Sequence, residues 1–370
     1  MIKVCSPQLG LSPISQLGGE VHDYNLIKEL CKQNVKVDVL LPKNRPYERD
    51  KNLNVRFLPI KSIIPAHLFN IFIAAYLLSA YKKGVDIFRF HNPYFLGIAG
   101  KILKKIHPEV KIVTTIHLVE ERWDLNLIFV YTKDIYDHFF VVSEYLKSWL
   151  VKKYNISPKK ITVIFNGIDK NIKVRKKNQN LLKKYNFGNK LVLLNLGQIS
   201  ERKNVLFLIE LFSLLNKIHS NLVLVYCGSG PLKKRLIDKI NQQGLSDKVF
   251  LLNPVSGKEK NEIFNLADIF LFPSKNEGFG LVVAEAMACA KPVIASNNSS
   301  LPEVIDDGVT GFLAKTDDLD DWRKKVSLLI NDNEKRKSFG KNGLEKQQVE
   351  FNWGGVAQKT VKIYEQLLNK

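Results

Sequence analysis

Residues 273–296 have the sequence PSKNEGFGLVVAEAMACAKPVIAS. They follow a β-rich run at 268–272. The stretch itself holds a glycine-rich loop, an apolar segment that predicts a helix over 280–289, and a second β-rich run at 292–295. A strand, a helix and a second strand in this order are the parts of a parallel βαβ unit. The stretch therefore predicts an α/β fold with a parallel sheet.

The same alternation continues through both halves of the chain. In the first half, strands are predicted at 2–5, 35–41, 55–58, 85–90, 110–116 and 138–142, and helices at 19–33, 62–83, 95–106 and 123–137. In the second half, the other predicted strands are 191–196, 221–227 and 248–252, and the other predicted helices are 204–219, 231–243, 258–266 and 319–331. Strands that alternate with helices favour parallel sheets, so we expect two doubly wound halves.

A chain of 370 residues suits two domains better than one core. The segment 170–184 is polar, basic and without apolar periodicity, as linkers are. We therefore predict an N-terminal domain over 1–170 and a C-terminal domain over 185–352. A last helix, 353–370, carries one apolar stripe, and the pattern alone does not tell which domain it packs on.

The chain is basic, with a formal net charge of +20. Most of this charge is in residues 1–180, which hold 29 Lys/Arg against 15 Asp/Glu. Such an excess suggests an anionic partner, for example nucleic acid, anionic lipid headgroups or a phosphorylated substrate. A lysine-rich solvated surface explains the same composition equally well. No helix-turn-helix, zinc or RNP-like motif supports nucleic acid binding.

The cysteines and the apolar runs indicate in which cellular compartment we expect the protein. The four cysteines have no metal-ligand spacing and no pattern of a disulfide framework, which favours a reducing, cytoplasmic location. The first ten residues predict a strand rather than a signal peptide. The apolar run 63–80 contains Pro65, His67 and Asn70 and is short for a membrane span. We expect a buried or interfacial helix there.

Two carboxylates stand out in the 273–296 stretch. Glu277 lies on the loop and Glu285 eight positions later on the predicted helix, with no other acid between them. A carboxylate accepts two hydrogen bonds, which suits the vicinal hydroxyls of a sugar or a ribose, and the helix N-terminus favours an anion. A pair of carboxylates for acid/base hydrolysis is an alternative. A capping Glu with a solvated helix Glu is the plain structural alternative.

Two adjacent cations follow another predicted strand. Arg202 and Lys203 come shortly after the run 191–196, where they could neutralise a diphosphate. A solvated basic loop is the alternative. The turn 228–231, Gly-Ser-Gly-Pro, follows the strand 221–227 and is compatible with a phosphate-side loop or with a simple turn.

The first half offers glycines and histidines at strand ends. Gly18 and Gly19 lie between the first strand and the first helix, where backbone can approach a phosphate closely. They do not complete a G-x-G-x-x-G motif, so a nicotinamide cofactor is poorly supported. His117 ends the run VKIVTTIH, at the sheet edge where open α/β sheets bind ligands. His91 has a similar placement, with less weight. A hydrogen-bonded structural histidine is the alternative for both.

Taken together, these motifs resemble the retaining GT-B enzymes of glycosyltransferase family 4 (glycosyltransferase group 1). The resemblance covers most of the chain, and only the glutamate pair is specific by itself. It also includes Phe165–Asp169, Glu201–Asn204, Leu301–Leu313 and the closing segment FNWGGVAQKTVKIYEQL. It implies two Rossmann-like domains that face a central cleft, with the last helix returning to the N-terminal domain.

The resemblance implies a role for each matching residue of the second half. Glu285 would bind the ribose of the nucleotide, and Glu277 would contact the hydroxyls of the transferred sugar. Val255 matches a position near the base. The loop amides near the donor sugar and phosphates would be those of Gly278, Phe279 and Gly280.

Further roles concern the diphosphate and the sugar ring. Arg202 and Lys203 would stabilise the leaving diphosphate. Gly18 and Gly19 would let the donor phosphate approach from the N-terminal domain, and His117 would face the sugar ring. Many members of the family have Arg where this chain has Gln198, so one phosphate contact is neutral or missing here.

The resemblance also implies the reaction. A hexose-type sugar would move from a UDP-, GDP- or ADP-sugar to a glycan or lipid-linked acceptor, with retained configuration. The reaction would need no cofactor and no metal, since the two cations can replace a metal.

Lys61, Lys82 and Lys83 around the 63–80 run suggest docking on an anionic membrane surface at its inner face. The alternatives are an epimerase or phosphorylase of the same architecture, a non-catalytic nucleotide-sugar-binding module, and a nucleic-acid-binding protein.

Overall fold

The computed structural model describes residues 1–8, 11, 18–43, 45–58 and 70–369. The chain forms two compact units. Unit 1 contains residues 1–167 and 352–370, and unit 2 contains residues 168–351. The segment 170–184, which we interpreted as a linker, is part of unit 2. There the side chains of Asn261 and Asn265 accept hydrogen bonds from the backbone amides of Lys173 and Arg175, so the segment is anchored to its unit.

Unit 1 contains a parallel sheet with the strand order β3-β2-β1-β4-β5-β6-β7 over the residues described. Its strands are β1 (Lys3–Pro7), β2 (Lys36–Leu41), β3 (Leu53–Phe57), β4 (Ile87–Phe90), β5 (Lys111–Ile116), β6 (His138–Val141) and β7 (Ile161–Val163). Its helices are α1 (Gly18–Lys32), α2 (Asn70–Tyr81), α3 (Pro93–Ile106), α4 (Trp123–Thr132), α5 (Glu144–Tyr154) and α14 (Trp353–Leu368).

The last helix belongs to unit 1. Helix α14 packs against α1, and its Ala357 and Tyr364 are fully buried in the same core as Leu26 and Leu30 of α1. The apolar stripe seen in the sequence is therefore the face of α14 that covers this core. Burying such side chains contributes about 1.5–3 kcal/mol each for the larger ones.

Unit 2 contains a second parallel sheet, with the order β10-β9-β8-β11-β12-β13. Its strands are β8 (Leu191–Leu196), β9 (Leu222–Cys227), β10 (Val249–Leu252), β11 (Ile269–Phe272), β12 (Val293–Ser296) and β13 (Gly311–Ala314). Its helices are α6 (Gln179–Lys184), α7 (Val205–Ile218), α8 (Lys233–Gln242), α9 (Gly257–Leu266), α10 (Leu281–Ala288), α11 (Leu301–Val304), α12 (Leu319–Asn331) and α13 (Asn333–Glu350). The prediction of two Rossmann-like α/β domains is confirmed.

The strand order of each sheet reverses at one place. In unit 1 the chain winds from β1 to β3 in one direction and from β4 to β7 in the other, so the order reverses between β1 and β4. In unit 2 it reverses between β8 and β11. At such a point the loops at the carboxyl ends of the two strands part and leave a crevice, which is where open α/β sheets bind ligands. Several of the predicted site residues follow these strands: Gly18 and Gly19 come after β1, Arg202 and Lys203 after β8, and Glu277 after β11.

Some elements differ from the sequence prediction. Gly18, predicted just before the first helix, lies in the first turn of α1 together with Gly19, where the helix was predicted to start. Helix α5 was not predicted. Its ends are nevertheless defined by local chemistry: the Ser143 side chain accepts a hydrogen bond from the amide of Leu146, and Asn155 ends the helix in the left-handed conformation.

The apolar run 63–80 is only partly described. Residues 63–69 lie outside the described residues, and the remainder forms most of α2. Among the helices of the described part of the chain, none combines the length and the apolar character that a membrane crossing requires.

Candidate functional site

Glu277 is held at the carboxyl edge of the unit 2 sheet by two cations. Its Oε1 atom accepts hydrogen bonds from Arg202 Nη1 at 2.8 Å and from Lys203 Nζ at 2.5 Å. Arg202 also donates to the backbone carbonyl of Asn276 at 2.8 Å. The cations lie on the loop after β8 and the carboxylate on the loop after β11, and these strands are neighbours. The sheet thus brings Glu277 together with two adjacent cations that are more than 70 positions away in sequence.

The charges of this group shift the pKa values of Glu277 and Lys203. Burial by itself would raise the pKa of Glu277, but Lys203 and Arg202 hold it below its ordinary value. Burial lowers the pKa of Lys203, and the adjacent Glu277 partly offsets this effect. Two cations face one carboxylate, so one positive charge is in excess beside a buried carboxylate. This excess favours an anionic ligand.

Three serines, which the sequence analysis did not single out, fix the position of Glu277. The Ser274 hydroxyl donates to its Oε1 atom at 2.5 Å. Ser299 accepts a hydrogen bond from the Glu277 amide, and Ser300 donates to the Glu277 carbonyl, each at 3.0 Å. Ser274 lies inside the stretch 273–296, two residues after the end of β11, and this position is the signal that could have identified it.

Glu285 lies on α10 and makes a separate ion pair. Its Oε1 atom is 2.5 Å from Nζ of Lys260, a residue of α9 that the sequence did not suggest. Its other oxygen, Oε2, is buried and has no hydrogen-bond partner. Leaving a buried acceptor unpaired costs about 1–3 kcal/mol. An oxygen in this state is well suited to accept a hydrogen bond from a ligand hydroxyl.

The loop between the two glutamates leads into the first turn of α10. Gly280 precedes the helix with φ of 93°, a left-handed conformation that favours glycine, and none of the described side chains caps this helix end. The amides of a helix start without a cap are free to bind an anion. Gly278 and Phe279 are buried in the same loop, and Val255 is half-buried after β10.

The turn 228–231 has a packing role. A Cβ atom on Gly228 would lie 1.9 Å from the carbonyl oxygen of Gly197, and one on Gly230 would lie 2.3 Å from that of Ile199. Both glycines therefore let the loop after β9 pack directly on the loop that carries the two cations. Gln198, the residue that departs from the family pattern, is exposed on that loop.

A second polar group lies in unit 1, beside the reversal between β1 and β4. The carboxylate of Asp23 is fully buried, with Arg89 Nη2 at 2.5 Å from Oδ1 and His91 Nδ1 at 2.5 Å from Oδ2. Burial alone would raise the pKa of Asp23, but Arg89 and His91 hold it well below its ordinary value. His91, to which the sequence gives less weight than His117, thus has a buried carboxylate partner.

His22 and His117 lie against the same group. Their ring centroids are 4.5 Å apart, and His22 Nδ1 donates to Asn166 Oδ1 at 2.5 Å. Burial lowers the pKa of His22 to about 4 and that of His117 well below its ordinary value. The Nε2 atoms of both rings are buried without a hydrogen-bond partner. Both imidazoles are therefore neutral at physiological pH.

This group is the cluster with metal-ligand potential in the described part of the chain. Ligand atoms of His22, Asp23 and His117 lie within 4.8 Å of one another. However, both oxygens of Asp23 already face Arg89 and His91, and the buried guanidinium repels a cation. The charges present therefore favour an internally paired group over a metal site.

Gly19 brings the backbone of α1 against the histidines. A Cβ atom there would lie 3.0 Å from His91 Cε1, 3.3 Å from His91 Nε2 and 3.5 Å from His117 Cδ2. A side chain at position 19 would therefore crowd the His91 ring. That Gly19 lies close to a ligand stays a prediction. Gly18, one residue earlier, is exposed at the helix start.

Comparison with known proteins adds the family. Residues 18–171 match the family model "Glycosyltransferase Family 4", and residues 175–346 match "Glycosyl transferases group 1". An uncharacterized glycosyltransferase of Methanocaldococcus jannaschii is 29% identical, over 99% of both chains.

Solved structures agree in fold. Sucrose-phosphate synthase from Thermosynechococcus elongatus superposes with a TM-score of 0.83 over 100% of both chains at 20% identity. HepE of Anabaena, in complex with UDP and glucose, gives 0.82 over 99% of this chain and 100% of that one at 17% identity. The chain is therefore a glycosyltransferase with the two Rossmann-like domains of the GT-B fold, an N-terminal domain of the Family 4 type and a C-terminal domain of the group 1 type.

Proposed function

We propose that this glycosyltransferase moves a hexose-type sugar from a nucleoside-diphosphate sugar to a glycan or lipid-linked acceptor, with retention of configuration and without a metal. The observation that supports it most is the arrangement around Glu277. Two cations meet one buried carboxylate at the reversal point of the unit 2 sheet, beside the start of α10. This combination suits a ligand that carries both a diphosphate and sugar hydroxyls.

Unit 2 binds the donor in this proposal. The unpaired Oε2 of Glu285 accepts a hydrogen bond from a ribose hydroxyl. Glu277 accepts hydrogen bonds from the hydroxyls of the transferred sugar, and the amides of the 278–280 loop lie beside the sugar and phosphates. Val255 lies near the base. HepE, which shares the fold, was solved in complex with UDP and glucose, so UDP-sugars are the first donors to test.

Arg202 and Lys203 act on the leaving group. As the bond between the anomeric carbon and the phosphate oxygen breaks, negative charge grows on the diphosphate. Preorganised cations in a partly buried site stabilise this developing charge and so lower the activation free energy by several kcal/mol. In known enzymes a single hydrogen-bond donor of this kind contributes about 2.7–4 kcal/mol. Both side chains are already held in place by Glu277, so little reorganisation is needed. These two charges can do what a metal ion does in other transferases.

Unit 1 binds the acceptor in this proposal, and His117 lies after β5 at the carboxyl edge of its sheet. The helices of unit 1 expose apolar side chains: Ile71 and Phe72 on α2, and Trp123, Leu127 and Tyr131 on α4. Together with the basic composition of residues 1–180, these side chains support peripheral binding to an anionic membrane at its cytoplasmic face. A membrane-associated acceptor, such as a lipid-linked glycan, follows from this.

The test is nucleotide release from a panel of UDP-, GDP- and ADP-sugars, with lipid-linked and free glycans as acceptors and with EDTA present. We expect release that depends on acceptor, persists in EDTA and gives a product with the donor's anomeric configuration by NMR. Loss of activity in EDTA would contradict metal independence, and an inverted product would contradict retention. Donor binding without any transfer would indicate a non-catalytic module, and isomerised donor would indicate an epimerase.

A further inference from the structure

Lys260 has unpaired hydrogen-bond donors beside the unpaired oxygen of Glu285. Its Nζ atom donates to Glu285 Oε1 at 2.5 Å, and within the described part of the chain the ammonium group makes no other hydrogen bond. An ammonium group has three N–H donors and no acceptor. Two donors of Lys260 therefore remain for a ligand, and its side chain is 21% exposed.

Lys260 lies at the edge of the unit 2 sheet where the proposed function places the donor. It is in the first turn of α9, which follows β10. Burial raises the pKa of the Cys227 thiol to about 12, and the charges of Glu259 and Lys260 also act on this thiol. Because Cys227 is the last residue of β9, the ammonium group lies near the carboxyl end of that strand. Open α/β sheets bind ligands outside these strand ends.

The two side chains together match the two hydroxyls of a ribose. Each hydroxyl has one O–H donor and also accepts hydrogen bonds. The buried Oε2 of Glu285 can accept from one of them. Its Oε1 already accepts from Lys260, whose remaining donors need an acceptor. The oxygen of the second hydroxyl is such an acceptor, and this arrangement keeps the ion pair.

We propose that Lys260 is a specificity-determining residue of the donor site, which donates a hydrogen bond to one ribose hydroxyl while Glu285 Oε2 accepts from the other. This inference rests on the proposed function, which assigns only Glu285 to the ribose. The ion pair holds the ammonium group and Oε2 side by side before a ligand binds. A deoxyribose leaves one of them without its partner, so the pair selects ribonucleotides.

The variants separate a direct contact from a structural one. Lys260→Met removes the charge and the donors but keeps an unbranched side chain. Lys260→Arg keeps both charge and donors. Lys258→Met is the matched control, because it removes an exposed lysine from the same turn of α9. Since Lys260→Met is expected to be less stable, thermal unfolding is measured first, and binding is measured at a temperature where every variant is folded.

Binding of UDP, GDP and ADP is measured by isothermal titration calorimetry, and the tightest of them is compared with its 2′-deoxy and 3′-deoxy forms. We expect the wild type and Lys258→Met to bind each deoxy form roughly 10-fold more weakly than the ribonucleotide, as for the loss of one hydrogen bond to a charged group. Lys260→Arg should behave in the same way.

Lys260→Met should differ in a specific pattern. It should bind the ribonucleotide roughly 10-fold more weakly than the wild type does. One of the two deoxy forms should then bind to this variant as tightly as the ribonucleotide, because the partner of the missing hydroxyl is gone. The other deoxy form should still bind more weakly, because Glu285 Oε2 still accepts from that hydroxyl.

Other patterns would overturn the inference and leave the proposed function intact. If Lys260→Met still binds both deoxy forms more weakly, Lys260 does not contact the ribose. If it distinguishes neither deoxy form from the ribonucleotide, Lys260 acts only by holding Glu285. Tighter binding of the ribonucleotide by Lys260→Met, or a wild type that discriminates against fewer than both deoxy forms, would also overturn it. A folded wild type that binds none of the three diphosphates would instead contradict the proposed function, and this inference with it.

Discussion

Lys260 Nζ lies 2.5 Å from Glu285 Oε1, while the other oxygen of the same buried carboxylate has no hydrogen-bond partner. One half of Glu285 is thus stabilised by the protein and the other half is left for a ligand. Lys260 lies on α9 and Glu285 on α10. Nothing in the sequence between these two residues indicates that they form a pair.

Lys260→Met should therefore destabilise the protein before any ligand is added. The buried carboxylate would lose its described partner, and we expect a fall of about 1–3 kcal/mol in the free energy of unfolding. Urea denaturation measures it. Lys258→Met, on the same helix at an exposed position, is the control and should change stability by less than about 0.5 kcal/mol. Equal effects of the two substitutions would contradict the importance of the pair.

The pH dependence of stability should report on Glu277. Its pKa in the folded protein is below the ordinary value of 4.5, so its ionised form stabilises the fold above that pH, and this contribution is lost as pH falls through the lowered pKa. The difference in unfolding free energy between the wild type and Glu277→Gln should therefore be largest near neutral pH and shrink below about pH 4. A constant difference over this range would show that Glu277 is not ionised in the fold.

Gly19→Ala should separate stability from activity. Alanine favours a helix by about 0.5–1 kcal/mol over glycine, but its Cβ would press on the His91 ring at 3.0 Å. We expect little loss of stability, or a gain, together with slower transfer. Gly343→Ala in α13 is the control, since its Cβ would meet only the flexible Met287 side chain at 3.3 Å. Transfer rates that are equal in both variants would argue against a role for the space beside Gly19.

Gly228→Ala tests the packing of the two loops that carry the unit 2 site. Its Cβ would overlap the carbonyl oxygen of Gly197, so we expect a loss of about 3 kcal/mol or more in unfolding free energy. Gly244→Ala is the matched control. It has φ of 63° and open space around its Cβ, and it should lose only about 1–2 kcal/mol for the left-handed backbone. Similar losses at both positions would contradict the close loop packing.

The exposed face of α4 provides a test of membrane binding. Trp123 is 76% exposed and Leu127 is 60% exposed, so their replacement by Ser removes apolar surface without opening a core. The double variant should bind vesicles that contain phosphatidylglycerol less than the wild type does in co-sedimentation. Val349→Ser, which alters an apolar residue 78% exposed on unit 2, should have no effect. Negligible binding by the wild type would remove the membrane proposal.

Much of the fold followed from the sequence because its strands are continuous apolar runs. Strand β8 and helix α12 were predicted within a residue of their observed bounds, since one is buried on both faces and the other has a regular apolar stripe. Helix α13 was missed because it is polar around most of its surface and few of its residues, such as Phe339, are buried. Strand β13 was missed because four residues at a sheet edge give little pattern.

The residues of the candidate site could be predicted from the sequence, but the contacts between them could not. Glu277, Arg202 and Lys203 were each proposed from their places after strands. Their meeting depends on β8 and β11 being neighbours, which only the strand order determines. Lys260 had no sequence signal, because it acts through one contact with Glu285 on another helix. Asn166 lies in the segment Phe165–Asp169 that the resemblance includes, but nothing in the sequence indicated its contact with His22.

The most direct test of the central claim is donor binding, measured by thermal unfolding with UDP-, GDP- and ADP-sugars and without metal. We predict that one class of donor raises the melting temperature of the wild type, and that Glu285→Ala and Arg202→Ala abolish this rise. A folded wild-type protein that none of these donors stabilises, or a rise that persists in both variants, would contradict the assignment of the unit 2 site to a nucleotide sugar.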